Sequence, residues 1–348
     1  MTSPSTSARL TGLSSTAIVY SVLALVIVVG GVLTALEGRN LFSAGSIQAI
    51  LTTASVLGLI AIGQTLVILA GSLDLSVPFV VSLSSVLAAS TMAGETGNIV
   101  PGVLIALVVA AAMGLVTGLV VALLHVHGFV ASLGMGLVIS GYLATNYAGS
   151  TGSAPRAFRL LGATYIGPVP LSTLVMLGIA VLATVMLLRT RTGLHLYAVG
   201  GNREVARLSG IRTAVPVVTA HVLCSMLAGV AGLLLLARLG VGQPTIGSQG
   251  DYDLMSIAAV VLGGTLLAGG KGNVIGTLGG VAIFAVLSQV MSALEVTSFL
   301  QDVIRGLVIV LAVAVYARRE IERRPAPFDQ LSAREALPGP DPALQETR

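Results

Sequence analysis

The scarcity of charge constrains this chain most. Only 9% of its residues are Asp, Glu, Lys or Arg, while 55% are hydrophobic. Soluble globular domains carry about 25% charged residues. A chain with so little charge cannot cover a water-facing surface, so lipid must be the solvent for much of it, and a soluble enzyme is excluded. Glycine is abundant, at 42 residues, which suits helices that approach closely in a membrane. The single cysteine, Cys224, lies in an apolar run. It reads as a small buried side chain, since no partner exists for a disulfide and no zinc-type spacing is present. The four histidines, His125, His127, His195 and His221, are dispersed.

A transmembrane helix needs roughly 20 mainly apolar residues. Runs of that kind place spans near 17–36, 47–70, 77–92, 101–124, 129–148, 168–188, 213–237, 254–268, 272–291 and 299–317. The expected fold is therefore an all-α integral membrane protein of about ten transmembrane helices. The segments 77–92 and 254–268 are short and Gly-bounded, so they read as tilted, broken or re-entrant, which only a protein or water-filled surrounding tolerates. Corresponding interruptions around 71–92 and 254–272 also hint at internal pseudo-symmetry.

Basic residues orient the spans. With the N-terminus in the cytoplasm and ten alternating spans, thirteen of the eighteen Lys and Arg residues face the cytoplasm. They include the five arginines of 189–212, Lys271 and the arginines after 317. The expected organisation is a cytoplasmic tail at 1–16, a membrane domain at 17–317 and a charged, Pro-rich cytoplasmic tail at 318–348. The N-terminal stretch lacks the pattern of a secretory signal.

The most informative segment is RTRTGLHLYAVGGNREVARLSGIR at 189–212, too long for a simple turn. Gly200 and Gly201 lead into Asn202, a good helix cap. Glu204 suits a first helical turn and Gly210 a helix end. The spacing predicts a short helix along the cytoplasmic face, carrying Arg203, Glu204, Ala206 and Arg207. A merely topogenic basic loop would explain the arginines but not the Gly-Gly-Asn start and the Gly stop.

Three further segments, AIGQTLVILAGSLDLSV at 61–77, FVASLGMG at 129–136 and LMSIAAVVLGGTLLAGGKGNVIGTLGG at 254–280, lead on to QDVIRGLVIVLAV at 301–313. Together with the basic loop, they resemble the ribose-type permeases, membrane subunits of ATP-binding-cassette importers for monosaccharides and related solutes. The resemblance spans most of 41–313. It departs where Ser72 replaces a glycine before Asp74-Leu75-Ser76-Val77, where Pro78 follows, and where His127-Gly128 stands in place of a frequent proline. It implies the transmembrane domain of an importer in the bacterial inner membrane, with the helix at 202–209 coupling it to a separate ATPase. The implied partners are two ATPase subunits, a second permease copy or paralogue, and an extracytoplasmic solute-binding protein; nucleic acid is not among them. The chain itself is expected to bind no cofactor, ATP and Mg being used by the partner. Consistently, it lacks a G-x-x-x-x-G-K-[ST] loop. Gly269-Gly270-Lys271-Gly272 lacks the spacing and reads as a tight turn.

Polar residues inside spans are costly and mark candidate pathways. Gln64, Thr65, Tyr142, Asn146 and Gln289 are the candidates for a translocation pathway, against the alternative of helix–helix hydrogen bonds. Asp74 reads as capping the next helix with Ser76 nearby, and Asp302 as pairing with Arg305. Competing functions are a branched-chain amino acid or nucleoside permease, an ion-coupled secondary transporter, which would need paired intramembrane charges, and a membrane enzyme, for which no nucleophile–base pair stands out.

Overall fold

The computed structural model describes residues 15–323. Almost every element is a helix, as expected of a chain that must satisfy its backbone internally in lipid. The long helices are α1 (Ser15–Leu36), α2 (Ala44–Leu69), α4 (Ile99–Leu123), α5 (Gly128–Asn146), α7 (Leu171–Arg189), α10 (Ala214–Leu239), α13 (Val274–Ala293) and α14 (Ser298–Arg323). Shorter ones are α3 (Val77–Met92), α6 (Arg156–Ala163), α8 (Arg191–Gly201), α9 (Arg203–Leu208), α11 (Ile246–Gln249) and α12 (Tyr252–Leu262). A two-stranded hairpin, β1 (Tyr165–Ile166) and β2 (Val169–Pro170), leads into α7.

Among the described residues, seven helices are long and apolar enough to cross a membrane, and α3 and α12 are shorter apolar helices. Lipid-facing helices show it in their exposed side chains. On α4 these include Val100, Leu104, Val108, Leu115 and Leu123. The core lies around α2, α3, α10 and α13, and α2 is buried from Ala54 to Leu69. Small residues let the axes come close. A Cβ on Gly118 of α4 would sit 2.9 Å from the Val218 Cα of α10.

Predicted spans and observed helices agree closely at most boundaries. The difference at 254–268 is physical. Helix α12 stops at Leu262, and Gly264 then takes φ +89, which a side chain other than glycine rarely adopts. The chain continues without helix to Asn273, packed against protein. Within it, Leu266 and Lys271 close the expected turn through a Leu266 N–H···O Lys271 bond of 2.9 Å. The last helix continues beyond the predicted span end at 317 to Arg323, and Arg305 pairs with Asp302 at 3.1 Å, as the spacing predicts. The rest of the predicted C-terminal tail, and nearly all of the N-terminal one, lie outside the described residues.

Following the helices through, one end of the bundle carries α8, α9 and the turn at Gly269–Gly270. The opposite end carries the loops after α5 and α10. Helix α10 runs between them, and its 26 residues span about 39 Å at 1.5 Å per residue.

Candidate functional site

The arginine-rich segment builds two helices rather than one. Thr190 caps α8, its hydroxyl accepting from Gly193 N–H at 3.3 Å. Helix α8 ends at Gly201, where Asn202 turns to an extended conformation. The Asn202 side chain then accepts from Val205 N–H at 3.0 Å and starts α9. Glu204 and Arg207 pair across one turn, with a 2.5 Å contact and both side chains exposed. The guanidinium of Arg207 holds the Glu204 carboxyl below its ordinary pKa. Gly210, at φ +81, closes the helix, and Ile211 N–H reaches back to Ala206 O at 3.1 Å.

Two details differ from the sequence reading. Gly200 and Gly201 are not the lead-in to α9 but the last turn of α8, and at Gly200 backbone meets backbone so closely that only glycine fits. A Cβ on Gly200 would fall on the Leu69 carbonyl oxygen at the end of α2. A Cβ on Gly269 would lie 2.8 Å from Gly200 O and 2.9 Å from the Gly71 Cα. Gly270 N–H donates to Leu69 O at 3.1 Å. Second, Ala206 does not face outward. It is 3% exposed and packs in its own chain's core. The apolar side chains that α9 presents outward are Val205 and Leu208, 57% and 75% exposed.

This glycine junction joins α8–α9 to both interruptions of the membrane domain, the loop 70–76 and the stretch 263–273. Two side chains reinforce it. Tyr197 O–H donates to Gly272 O at 2.8 Å, and Arg203 Nη2 donates to Ala122 O at the end of α4 at 3.1 Å. Between the junction and α9 lies a cavity of about 420 Å3, lined in part by Ser72, Asn202, Arg203 and Glu204.

Behind that cavity runs a buried polar chain. Ser72 Oγ lies 3.0 Å from His221 Nε2, and His221 Nδ1 lies 3.2 Å from Asp74 Oδ2. The other Asp74 oxygen accepts from Ser76 N–H at 2.9 Å and from Ser76 O–H at 2.6 Å. Asp74 and His221 are fully buried. Each needs the other, because a buried ionisable group without a partner is costly. The chain ties α10 to the loop between α2 and α3. Asp74 does not itself cap α3, whose first residue is preceded by Ser76 without a side-chain cap bond; it holds Ser76 ahead of the helix and also holds His221, which sequence reading set aside as dispersed. Asp74 in a Gly/Ser segment and a histidine inside an apolar run are the signals that could have paired them.

The five pathway candidates do not converge. Thr65 is buried and bonds Ala61 O at 2.7 Å and the Thr277 hydroxyl at 2.8 Å, joining α2 to α13. Gln64 is also buried; its Oε1 lies 3.7 Å from Cys224 Sγ, and its Nε2 has no hydrogen-bond partner among the described residues. Gln289 lies at the opposite end, with Nε2 3.4 Å from Ser46 Oγ. Tyr142 and Asn146 do share a face of α5, and it is an exposed one. Asn146 Nδ2 donates to Tyr142 O at 2.8 Å.

Comparison with known proteins places these features in context. A family model described as "Branched-chain amino acid transport system / permease component" matches residues 46–313. The chain is 41% identical to the ribose import permease protein RbsC of Escherichia coli (strain K12), over 81% of this chain and 88% of that one. It is 35% identical to the ribose import permease protein RbsC of Bacillus subtilis (strain 168), covering 77% and 83%. It is 33% identical to the galactose/methyl galactoside import permease protein MglC of Haemophilus influenzae, covering 78% and 87%. No solved structure matches it.

Proposed function

The chain belongs to the branched-chain amino acid transport system / permease component family, as a ribose-type permease, and from that premise we propose how it imports a sugar. It is the membrane-spanning subunit of an ATP-binding-cassette importer that moves a monosaccharide or sugar-like solute into the cytoplasm. Relatives named for ribose, galactose, arabinose and allose favour sugars over branched-chain amino acids. The ion-coupled alternative has little to stand on: among the described residues, the fully buried acid–histidine pair, Asp74–His221, is used to tie α10 to the loop 70–76.

Helix α9 is the docking element for a separate ATPase subunit. The observation that carries this is its construction: a helix capped at both ends, presenting Val205 and Leu208 to the outside and following directly on α8, whose last turn meets both interruptions of the membrane domain backbone to backbone. A push on α9 reaches α2 through Gly200 and Leu69, and α4 through Arg203. Two ATPase subunits would serve two permeases, this chain and a second copy or paralogue. A binding protein would deliver the solute at the opposite end, where α10 and α5 terminate. The arginine-rich end and both chain termini are then cytoplasmic, with 17–317 as the permease domain and ATP and Mg held by the partner. Tyr142 and Asn146, exposed on α5, are the pathway candidates that a second permease could enclose; Gln64 and Thr65 serve helix packing.

Uptake by proteoliposomes tests this reading. Vesicles holding the chain, its ATPase and its binding protein should accumulate labelled sugar only with Mg-ATP. Uptake driven by an ion gradient in vesicles holding this chain alone would contradict it.

A further inference from the structure

The opposite end of the bundle holds a cavity of about 400 Å3 between α3, the end of α5 and the segment after α10. That is the size range of small-molecule sites, about 300–1,000 Å3. Its lining chemistry is specific. Phe79 and Tyr147 supply aromatic faces, Gln243 and Gln249 supply amides, and Ser140 and Ser150 supply hydroxyls. None of the lining residues is charged. Among the described residues, the side chains of Gln243, Gln249, Ser140 and Ser150 make no hydrogen bond within the chain. The Tyr147 ring is held edge-on by Tyr142, with centroids 6.1 Å apart and planes at 70°. The cavity walls are also anchored. Thr151 and Gly242 bridge the two loops through reciprocal backbone bonds of 2.8 and 3.0 Å, and Gly247 N–H donates to Ser82 Oγ on α3 at 2.9 Å.

We propose that this cavity is a weak binding subsite for a neutral monosaccharide, the first station of the solute on the permease. It rests on the importer reading, to which it adds a place and a chemistry. Each free amide offers both a donor and an acceptor, and each hydroxyl does the same. This mixed set matches a ring of sugar hydroxyls, which also donate and accept. The aromatic faces suit the C–H faces of a sugar ring. The absence of charge in the lining selects against acids and amines, because an ion there would lose water without gaining a partner. Partly exposed amides keep the site weak, as a transit site must be if the solute is to leave it.

The test uses the full-length chain in nanodiscs, where both faces are open to reagent, in a Cys224→Ser background. Ser150→Cys places a thiol at the cavity and Gly97→Cys a control on a separate loop at the same end. Thiol labelling is timed with D-ribose, D-galactose, L-arabinose or D-allose. At least one sugar should slow labelling of the Ser150→Cys protein by the mass-action factor, about tenfold when its concentration is ten times Kd. Labelling of the Gly97→Cys protein should not change, and sodium gluconate should protect neither. Adding Gln243→Ala and Gln249→Ala should abolish the protection. Should Ser150→Cys fold poorly, Ser248→Cys reports on the same cavity. Unchanged labelling with all four sugars, or equal protection by gluconate, overturns the subsite. ATP-driven uptake by the assembled transporter is scored separately: uptake without protection removes the subsite and leaves the importer, whereas protection without uptake does the reverse.

Discussion

The two ends of this bundle are built on opposite principles. At the arginine-rich end, backbone packs on backbone. Gly200, Gly269 and Gly270 leave no room for side chains, and Tyr197 and Arg203 bond to carbonyls of the membrane domain. At the far end, a cavity of about 400 Å3 is lined in part by Gln243, Gln249, Ser140 and Ser150, whose side chains make no hydrogen bond among the described residues. A close-packed junction transmits displacement because packed interfaces deform little. An open polar cavity transmits nothing but can exchange its hydrogen bonds with a ligand. The contrast assigns energy input to one end and solute to the other.

Substitutions at the packed end should break the molecule or its coupling, in graded fashion. The largest effect belongs to His221→Ala. It removes the partner of a fully buried carboxyl, and breaking such a pair costs about 3–5 kcal/mol. Thermal unfolding of the purified chain should show the loss, and the double variant Asp74→Ala, His221→Ala should recover part of it. Next comes Gly200→Ala, which forces a methyl onto the Leu69 carbonyl. Overpacking of this kind costs about 1–3 kcal/mol. Solute-stimulated ATP hydrolysis should fall even in preparations where the ATPase still co-purifies, because the damage lies between α8 and α2.

Leu208→Asp acts on docking alone. The side chain is 75% exposed, so the chain should fold and insert normally. A well-placed apolar anchor contributes about 2 kcal/mol at an interface, and about thirtyfold weaker ATPase binding should appear in co-purification or titration. Ala206→Glu would not make the same test, since it would bury a carboxyl in the chain's own core. Glu204→Gln should have the smallest effect, because exposed pairs contribute little. Arg207 lowers the Glu204 pKa, so whatever the pair contributes is present above the carboxylate's ordinary pKa, near 4.3. It is lost only as pH falls through the lowered value. ATPase binding measured at neutral and mildly acid pH should therefore agree, and wild type and Glu204→Gln should converge only in strong acid.

Much of this was legible in the sequence, and the reasons differ by element. Span boundaries followed from where apolar runs stop. Asn202 and Gly210 marked the ends of α9 because caps are local chemistry, decided within a few residues. The turn at Gly269–Lys271 and the Asp302–Arg305 pair are local in the same way. The inward face of Ala206 was not legible, because a helix of six residues is too short to show a periodicity. The Asp74–His221 pair joins residues 147 positions apart, and only tertiary packing brings them together. Polar residues inside spans gave a pathway list that the fold disperses, since helix–helix bonds such as Thr65–Thr277 leave the same trace in sequence as a solute contact. The far-end cavity escaped because most of its polar residues, in 147–150 and 243–249, lie outside the long apolar runs, where polar side chains attract no notice.

Hydrogen exchange on the assembled transporter tests the division between the two ends most directly. Amide exchange would be followed over 203–210 and over 243–249, in the reconstituted chain with and without its ATPase subunits. The account predicts slower exchange at 203–210 when the ATPase is bound and unchanged exchange at 243–249. Protection confined to the far end, or an unaltered 203–210 segment in a complex that hydrolyses ATP in response to solute, would contradict it.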